Sequence, residues 1–386
     1  MGLSMLQRKP DSGLGNIRSS PADPSRNIDW VLLTAQTALT VAGCFIVFSA
    51  TRTRTVDPYT FVTRQVIFAI VGAVVMVAVM SVDYEWWKDR ARALYLPTIV
   101  VLFLMAAYSR ASGETLLAVD IGPIQIQPAE FAKFVVLLAM CSYLSEERHQ
   151  EEGVSYARFL GALIIVGVPA VLVIIQPDLG TGSVLIAMTM GVLLVAGAKA
   201  RYIATISLLS LATVGAAFVA RLVNPYQLER VRVFFDEDNA DLREAVYQVD
   251  NAVKAVGTGG LLGKGWLQGP LTNGRDIPVI WADFPFAALG EQFGLVGCAA
   301  MLLTFVVVLV RVWRIASLSR DMFGTYLCAG VFTMLLWQVF QNVGMTMKIM
   351  PVTGLPLPFI SYGGSSLITW FALLGLVQSV YMRRMR

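Results

Sequence analysis

Asp283 stands where a long polar segment meets an apolar run, in Ile277-Pro278-Val279-Ile280-Trp281-Ala282-Asp283-Phe284. A carboxylate against a low-dielectric wall is desolvated, which raises its pKa toward a value useful to a general base. An aspartate at such a junction equally suits the capping of the following helix, and position alone does not choose between the two. Glu291 lies eight residues on, about two helical turns deeper on much the same face. Glu130 and Lys133 open another apolar run and share one helical face, either neutralising each other or meeting a ligand. Asp178, in Gln176-Pro177-Asp178-Leu179-Gly180-Thr181, can serve a site or cap the next run. Arg64 and Lys348 flank apolar runs, where long basic side chains reach for the interface.

Carboxylates with basic residues nearby suit glycosyl transfer from a pyrophosphate-linked lipid. The carboxylate takes a proton and the cations steady an anionic leaving group. Transport of a charged solute would use similar residues. The sole histidine, His149, falls in the charge cluster Glu146 to Glu152, a solvated face. Gly257-Thr258-Gly259-Gly260-Leu261-Leu262-Gly263-Lys264-Gly265 could bring backbone amides to an anion, but its spacing is not that of a P-loop and tight turns are the favoured reading. Cys44, Cys141, Cys298 and Cys328 lie inside apolar runs without metal spacing, so neither a disulfide nor a zinc site is expected.

What must position these residues is a membrane bundle. Hydrophobic residues make up 56% of the 386 positions and charged residues only 15%, a balance that a water-soluble globule of this length would not keep. About 30 Å of hydrocarbon takes roughly 20 helical residues, and apolar runs of that length recur along the chain. The pattern predicts an all-α polytopic membrane protein with ten transmembrane helices. They fall at about 29–50, 62–82, 93–109, 128–144, 159–176, 182–198, 202–222, 284–310, 322–345 and 363–382. Residues 1–27 form a polar tail expected to be disordered, and 28–386 a single integral membrane domain. Span one reads as an uncleaved signal anchor.

Lys and Arg resist translocation, so their places set the orientation. Arg8, Lys9, Arg18 and Arg26, then Lys88, Arg90 and Arg92, and later Arg311, Arg314, Arg320, Arg383 and Arg384 fall on one side, predicting both termini in the cytoplasm. Arg52 and Arg54 break the pattern in the first outer loop. The one long hydrophilic segment, about 223–283, is then extracytoplasmic, between spans seven and eight. Arg64, Glu130, Lys133, Asp178, Asp283, Glu291 and Lys348 all fall in the outer half, which predicts one polar cavity open to that side. The net charge of +4 is what insertion requires and points to the lipid bilayer, not to nucleic acid. Between spans nine and ten runs a Gly/Pro-rich stretch, Asn342 to Ser366. Irregular backbone survives at membrane depth only where it is buried in protein or lines a wet cavity.

Several polar motifs in order carry a resemblance to one family. They are Gln127-Pro128-Ala129-Glu130-Phe131-Ala132-Lys133, Gln176 to Thr181, Tyr226-Gln227 with Arg230, Gly259 to Gly265, Asp283-Phe284 with Gly290-Glu291, and the run Asn342 to Ser366 with Ser361-Tyr362-Gly363-Gly364. The chain resembles the SEDS proteins (shape, elongation, division and sporulation), the family of RodA and FtsW, over everything after the tail, with RodA the nearer branch. The resemblance implies a peptidoglycan glycosyltransferase that polymerises lipid II into glycan strands at the outer face of the bacterial cytoplasmic membrane, by inverting transfer. It assigns Asp283 as general base. Arg64, Glu130, Lys133, Asp178, Arg230, Lys264, Glu291, Lys348 and Ser361 become the expected substrate contacts. A divalent cation, Mg or Mn, could assist the pyrophosphate leaving group, and a class B penicillin-binding protein, a transpeptidase, is the implied partner.

Two stretches depart from the family pattern. A Gly-Ala-Arg-Arg-Trp-like element gives way to Glu114-Thr115-Leu116-Leu117-Ala118-Val119-Asp120-Ile121, and Pro-Glu-x-x-Thr-Asp becomes Pro278-Val279-Ile280-Trp281-Ala282-Asp283. The acceptor side is where these changes would be felt. A lipid II flippase and a non-catalytic scaffold of wall synthesis are the alternative functions.

Overall fold

The computed structural model describes residues 27–112, 116–121, 124–146, 154–205, 207–208, 243–274 and 276–385. The structure is an all-α bundle. Its elements in chain order are α1 (Trp30–Thr51), α2 (Thr60–Ser81), α3 (Tyr84–Ser112), a hairpin of β1 (Val119–Ile121) and β2 (Ile124–Ile126), α4 (Pro128–Ser145), α5 (Tyr156–Ile175), α6 (Leu179–Val195), α7 (Arg243–Gly259), the single turn α8 (Pro270–Asn273), α9 (Pro285–Ser317), α10 (Met322–Thr346) and α11 (Gly364–Met382). Among the described residues eight helices are long and apolar enough to cross a membrane, with α6 a shorter apolar ninth. The chain is a multi-pass membrane protein. The expected seventh span, 202–222, lies outside the described residues except for helical residues 202–205 and 207–208. The expected tail and residue Arg230 lie outside them too.

Helix boundaries differ from hydropathy boundaries in two places. α3 begins at Tyr84, well before the apolar run near 93, because Trp86, Trp87, Lys88, Arg90 and Arg92 are compatible with helix and sit where apolar and polar surroundings meet. α9 runs on to Ser317 because Arg311, beyond the expected end, pairs with the buried Asp29 that caps α1. Arg384 also donates to Asn27, so the two ends of the described chain lie at one end of the bundle.

Burial runs against hydropathy. α11 packs on α2, α4, α9 and α10 and has 89% of its span buried, yet it is among the least apolar spans and carries Ser365, Ser366, Thr369, Gln378 and Ser379. α2, α3, α5 and α9 are more apolar and mostly exposed on the outside of the bundle. In lipid the outer face is the apolar one, and small or polar residues let helices approach inside.

At the end of the bundle opposite the chain ends, α9 is broken. Gly294 has φ +63° and the helix continues beyond it, which frees backbone groups on both sides. The Gly-rich loop after α7 fills the break. Lys264 and Gly265 donate their amides to the carbonyls of Glu291 and Gln292 at 2.9 and 3.0 Å, and Leu295 and Val296 donate back to Gly260 and Leu261 at 2.9 and 3.1 Å. A Cβ on Gly259 would stand 1.9 Å from the Gly290 carbonyl oxygen, so the approach requires glycine. The loop is thus a set of tight turns docked on a helix break.

Candidate active site

A cavity of about 620 Å³ opens where the chain enters α9. α2 contributes Phe61, Arg64 and Phe68, the hairpin contributes Asp120 and Gln125, and Gln127 adds its side chain ahead of α4. Val279, Trp281, Ala282 and Asp283 form one wall; Gly354, Pro356 and Tyr362 to Ser366 form another. Asp283 and Arg64, the expected base and an expected cation, therefore share one space.

The Asp283 wall is fixed through its backbone. The carbonyls of Trp281, Ala282 and Asp283 each accept a hydrogen bond, from the Tyr362 amide at 2.9 Å, the Ser361 hydroxyl at 2.6 Å and the Asn342 side-chain amide at 2.9 Å. Asn342 donates its second proton to the Leu355 carbonyl at 2.8 Å, and Ser361 Oγ accepts from the Leu357 amide at 2.8 Å. The irregular stretch between α10 and α11 thereby pairs backbone groups of its own and of the Asp283 wall together. Val279 holds φ +53°, a strained conformation for a β-branched residue, at the edge of the cavity.

Loop 264–277 is held by basic residues of the α1–α2 connection. Arg52 donates to the Leu267 carbonyl at 2.7 Å, and Arg54 to those of Gly274 and Ile277 at 2.7 and 3.0 Å. The two arginines that broke the charge pattern are thus carbonyl clamps. Arg54 also lies over the Trp281 ring, 5.2 Å from its centroid. Phe61 packs against Trp281 and Tyr362, with centroids 5.3 and 5.0 Å apart.

The other expected site residues among the described ones do not line this cavity. Glu130 and Lys133 form a buried ion pair at 2.8 Å in the first turn of α4. Asp178 caps α6 by accepting from the Thr181 amide at 2.9 Å, and also accepts from Gln127 Nε2 at 3.1 Å. It lies in the turn between α5 and α6, where burial pushes its carboxyl above the ordinary carboxylate range against the lowering bond from Thr181. Gln127 thus links the cavity to the charged group behind its wall. Glu291 is fully buried and accepts from the amides of Leu271 and Thr272 at 3.0 and 2.7 Å and from the Thr272 hydroxyl at 2.6 Å, with Lys264 Nζ 3.6 Å away. It caps α8 from across the loop. Lys348, at φ +57°, pairs with Asp250 of α7 at 2.5 Å. Ser361 is spent on backbone beside the cavity. The structure therefore distributes the expected cavity charges, because a low dielectric favours charges that are paired and hydrogen-bonded locally.

Asp120, Trp281, Tyr362 and Asn342 enter the sequence reading only inside longer motifs with no role of their own, and Gln125 not at all. A signal for Asp120 and Gln125 existed: Val119-Asp120-Ile121 and Ile124-Gln125-Ile126 alternate apolar and polar around Gly122-Pro123, the mark of a hairpin. Asn342 and Trp281 have no local signal, since their roles depend on strands of chain far apart in sequence.

Known proteins resemble this chain over nearly its whole length. The family model of the FtsW, RodA and SpoVE cell cycle proteins matches residues 29–386. Stage V sporulation protein E of Bacillus subtilis is 32% identical over 91% of this chain and 96% of its own length. Peptidoglycan glycosyltransferase MrdB of Escherichia coli K12 is also 32% identical, over 93% of this chain and 94% of its own. Among solved structures, a peptidoglycan synthase complex that coordinates polymerization and crosslinking contains a chain matching with TM-score 0.75 at 26% identity, covering 93% of this chain and 99% of that one. Thermus thermophilus rod shape determining protein RodA matches with TM-score 0.67 at 25% identity, over 93% and 98%. A match that takes in the first span, the broken helix, the Asp283 wall and the last helix alike leaves one conclusion: the chain belongs to the FtsW/RodA/SpoVE family.

Proposed function

We propose that this chain is a peptidoglycan glycosyltransferase that polymerises lipid II into glycan strands, with Asp283 as general base. The observation that carries this reading is the placement of Asp283 and Arg64 on one cavity of about 620 Å³, within a family whose relatives are named for this activity. In the reaction, the Asp283 carboxylate accepts the proton of the acceptor sugar 4-hydroxyl. The oxygen attacks the donor's anomeric carbon in line, the bond to undecaprenyl pyrophosphate breaks, and configuration at that carbon inverts. Arg64 meets the charge that builds on the leaving pyrophosphate.

Among the described residues no three metal-ligating side chains gather. Asp120 and Asp283 nevertheless line the same cavity, and Mg is typically held by one or two carboxylates plus substrate phosphates, so the donor set fits such an ion. When bound, the ion would supply charge neutralisation at the pyrophosphate.

In this reading the protein sits in the bacterial cytoplasmic membrane with both termini inside and the Asp283 cavity outside. A class B penicillin-binding protein transpeptidase is the partner that cross-links the product. The test is lipid II polymerisation by the purified chain, followed as glycan length on gels. Asp283→Ala is expected to lower the rate by about 10²–10⁴-fold, the range for loss of a general base. Full activity in that variant would overturn the assignment, and leaflet-to-leaflet movement of lipid II without polymerisation would support the flippase instead.

A further inference from the structure

We propose that Trp281, with Phe61 and Tyr362, forms a stacking wall on which a hexopyranose ring of the glycan seats, and that the Ser366 hydroxyl is a polar partner for that sugar. The proposal rests on the reading of the Asp283 cavity as a glycosyl-transfer site and names the subsite within it.

Three observations support the wall. All three aromatic residues line the cavity that holds Asp283 and are only partly buried, so they are not simply core. Their geometry is fixed. Arg54 lies over Trp281 and is itself tied to two backbone carbonyls; Phe61 stands edge-on to Tyr362 with an interplanar angle of 68°. The Trp281 carbonyl is bonded to the Tyr362 amide, which locks the two residues to each other. A pyranose presents C–H bonds on one face and hydroxyls around its rim. Aromatic faces carry negative charge that attracts the C–H face, and a wall already rigid loses little entropy on binding.

Polar groups for the rim are also present. Ser366 is 7% exposed, lines the cavity, and its hydroxyl has no hydrogen-bond partner among the described residues. A buried hydroxyl left unpaired is unfavourable, and a sugar hydroxyl would satisfy it. Asp283 on the adjoining backbone then places the base beside the seated ring, and the volume is within the range of about 300–1,000 Å³ usual for small-ligand sites. Aromatic belts at membrane surfaces are the competing role for Trp and Tyr. They differ in facing lipid rather than a polar cavity.

The test uses the full-length chain in nanodiscs and a soluble β-1,4-linked N-acetylglucosamine–N-acetylmuramic acid oligosaccharide as probe. Affinity is measured by calorimetry on the Asp283→Asn background, and lipid II polymerisation on the active background. Trp281→Ala is expected to weaken oligosaccharide binding at least tenfold and to raise KM for lipid II with kcat within threefold. Trp281→Phe, which keeps a ring, should stay within threefold of the parent in both, while losing the saccharide-induced change in tryptophan emission. Ser366→Ala removes only a hydroxyl and should weaken binding about fivefold, which serves if Trp281→Ala fails to fold. Unchanged affinity in Trp281→Ala, or equal loss in the Phe and Ala variants, overturns the wall. A chain that polymerises lipid II but does not bind the oligosaccharide refutes the wall and leaves the proposed function standing. One that binds through Trp281 without polymerising does the reverse.

Discussion

The side-chain amide of Asn342 on α10 donates to the main-chain carbonyl of Asp283 at 2.9 Å, across 59 residues of sequence. Its second proton goes to Leu355 at 2.8 Å, so one amide ties the proposed base to the irregular stretch facing it. Asn342→Leu keeps the shape and removes both donors. Each stranded buried carbonyl costs about 1–3 kcal/mol. A shift of the base by about 1 Å can cost 10²-fold in rate. The variant should therefore lose kcat by about that factor with KM little changed, and melt at lower temperature. Steady-state kinetics beside a thermal melt check it; a KM-only effect would mean that Asn342 touches substrate.

Glu291 is expected to act through structure rather than through substrate. It receives three hydrogen bonds from Leu271 and Thr272 and sits 3.6 Å from Lys264. Glu291→Ala strands buried donors, each at about 1–3 kcal/mol, and should expose the 260–274 loop to protease and lower the melting temperature. Glu291→Gln retains an acceptor oxygen and should recover most of the loss. Lys264→Ala should change little, because Lys264 is a third exposed and screened by solvent. Limited proteolysis of the three variants separates these outcomes.

Most helices were legible from sequence because bilayer thickness fixes their length, and the apolar runs found nine of them within the described residues. The order of burial was not legible. Hydropathy marks what faces lipid, so α11, the central helix, looks no more important than its neighbours. At the site, Asp283 was legible because an ionisable group beside an apolar run is rare and the motif around it is distinctive. Trp281 and Asn342 were not. Trp281 acquires a role only when Arg54 and Phe61 close on it from the other end of the chain, and Asn342 only when the loop after α10 folds back. Depth, charge and a family motif marked Glu291 for a substrate, and only the fold shows that its carboxylate accepts from the loop's own amides and the Thr272 hydroxyl.

The Glu130–Lys133 pair offers a double-mutant test. Both side chains are buried and 2.8 Å apart. Removing one partner leaves an uncompensated charge in low dielectric, an effect of about 3–5 kcal/mol, whereas apolar replacement of both is often neutral. Glu130→Leu and Lys133→Met should each reduce folded yield, and the double variant should restore it. Polymerisation by the double variant decides the role: activity near the parent's means a structural pair, and a folded but inactive protein means that substrate reads these charges.

Gly294 is a position where a single methyl group should matter. Its φ is +63°, and a Cβ there would stand 2.4 Å from the Gly263 amide nitrogen and 2.6 Å from the Leu261 carbonyl oxygen. Both atoms are backbone, so neither can swing away, and the strain of an alanine at positive φ adds to the clash. Gly294→Ala must push the Gly-rich loop off the helix break, opening the bonds from Lys264, Gly265, Leu295 and Val296 that seal it. The loop that carries the Glu291 partners would move, and with it the chain leading to Asp283. Loss of both stability and polymerisation is the expected result. Gly257→Ala is the matched control, since a Cβ there meets nothing within 4 Å inside α7. It should leave activity intact and add up to about 0.5–1 kcal/mol of stability. Equal tolerance of the two substitutions in a thermal melt would show that the docked loop does not hold the site.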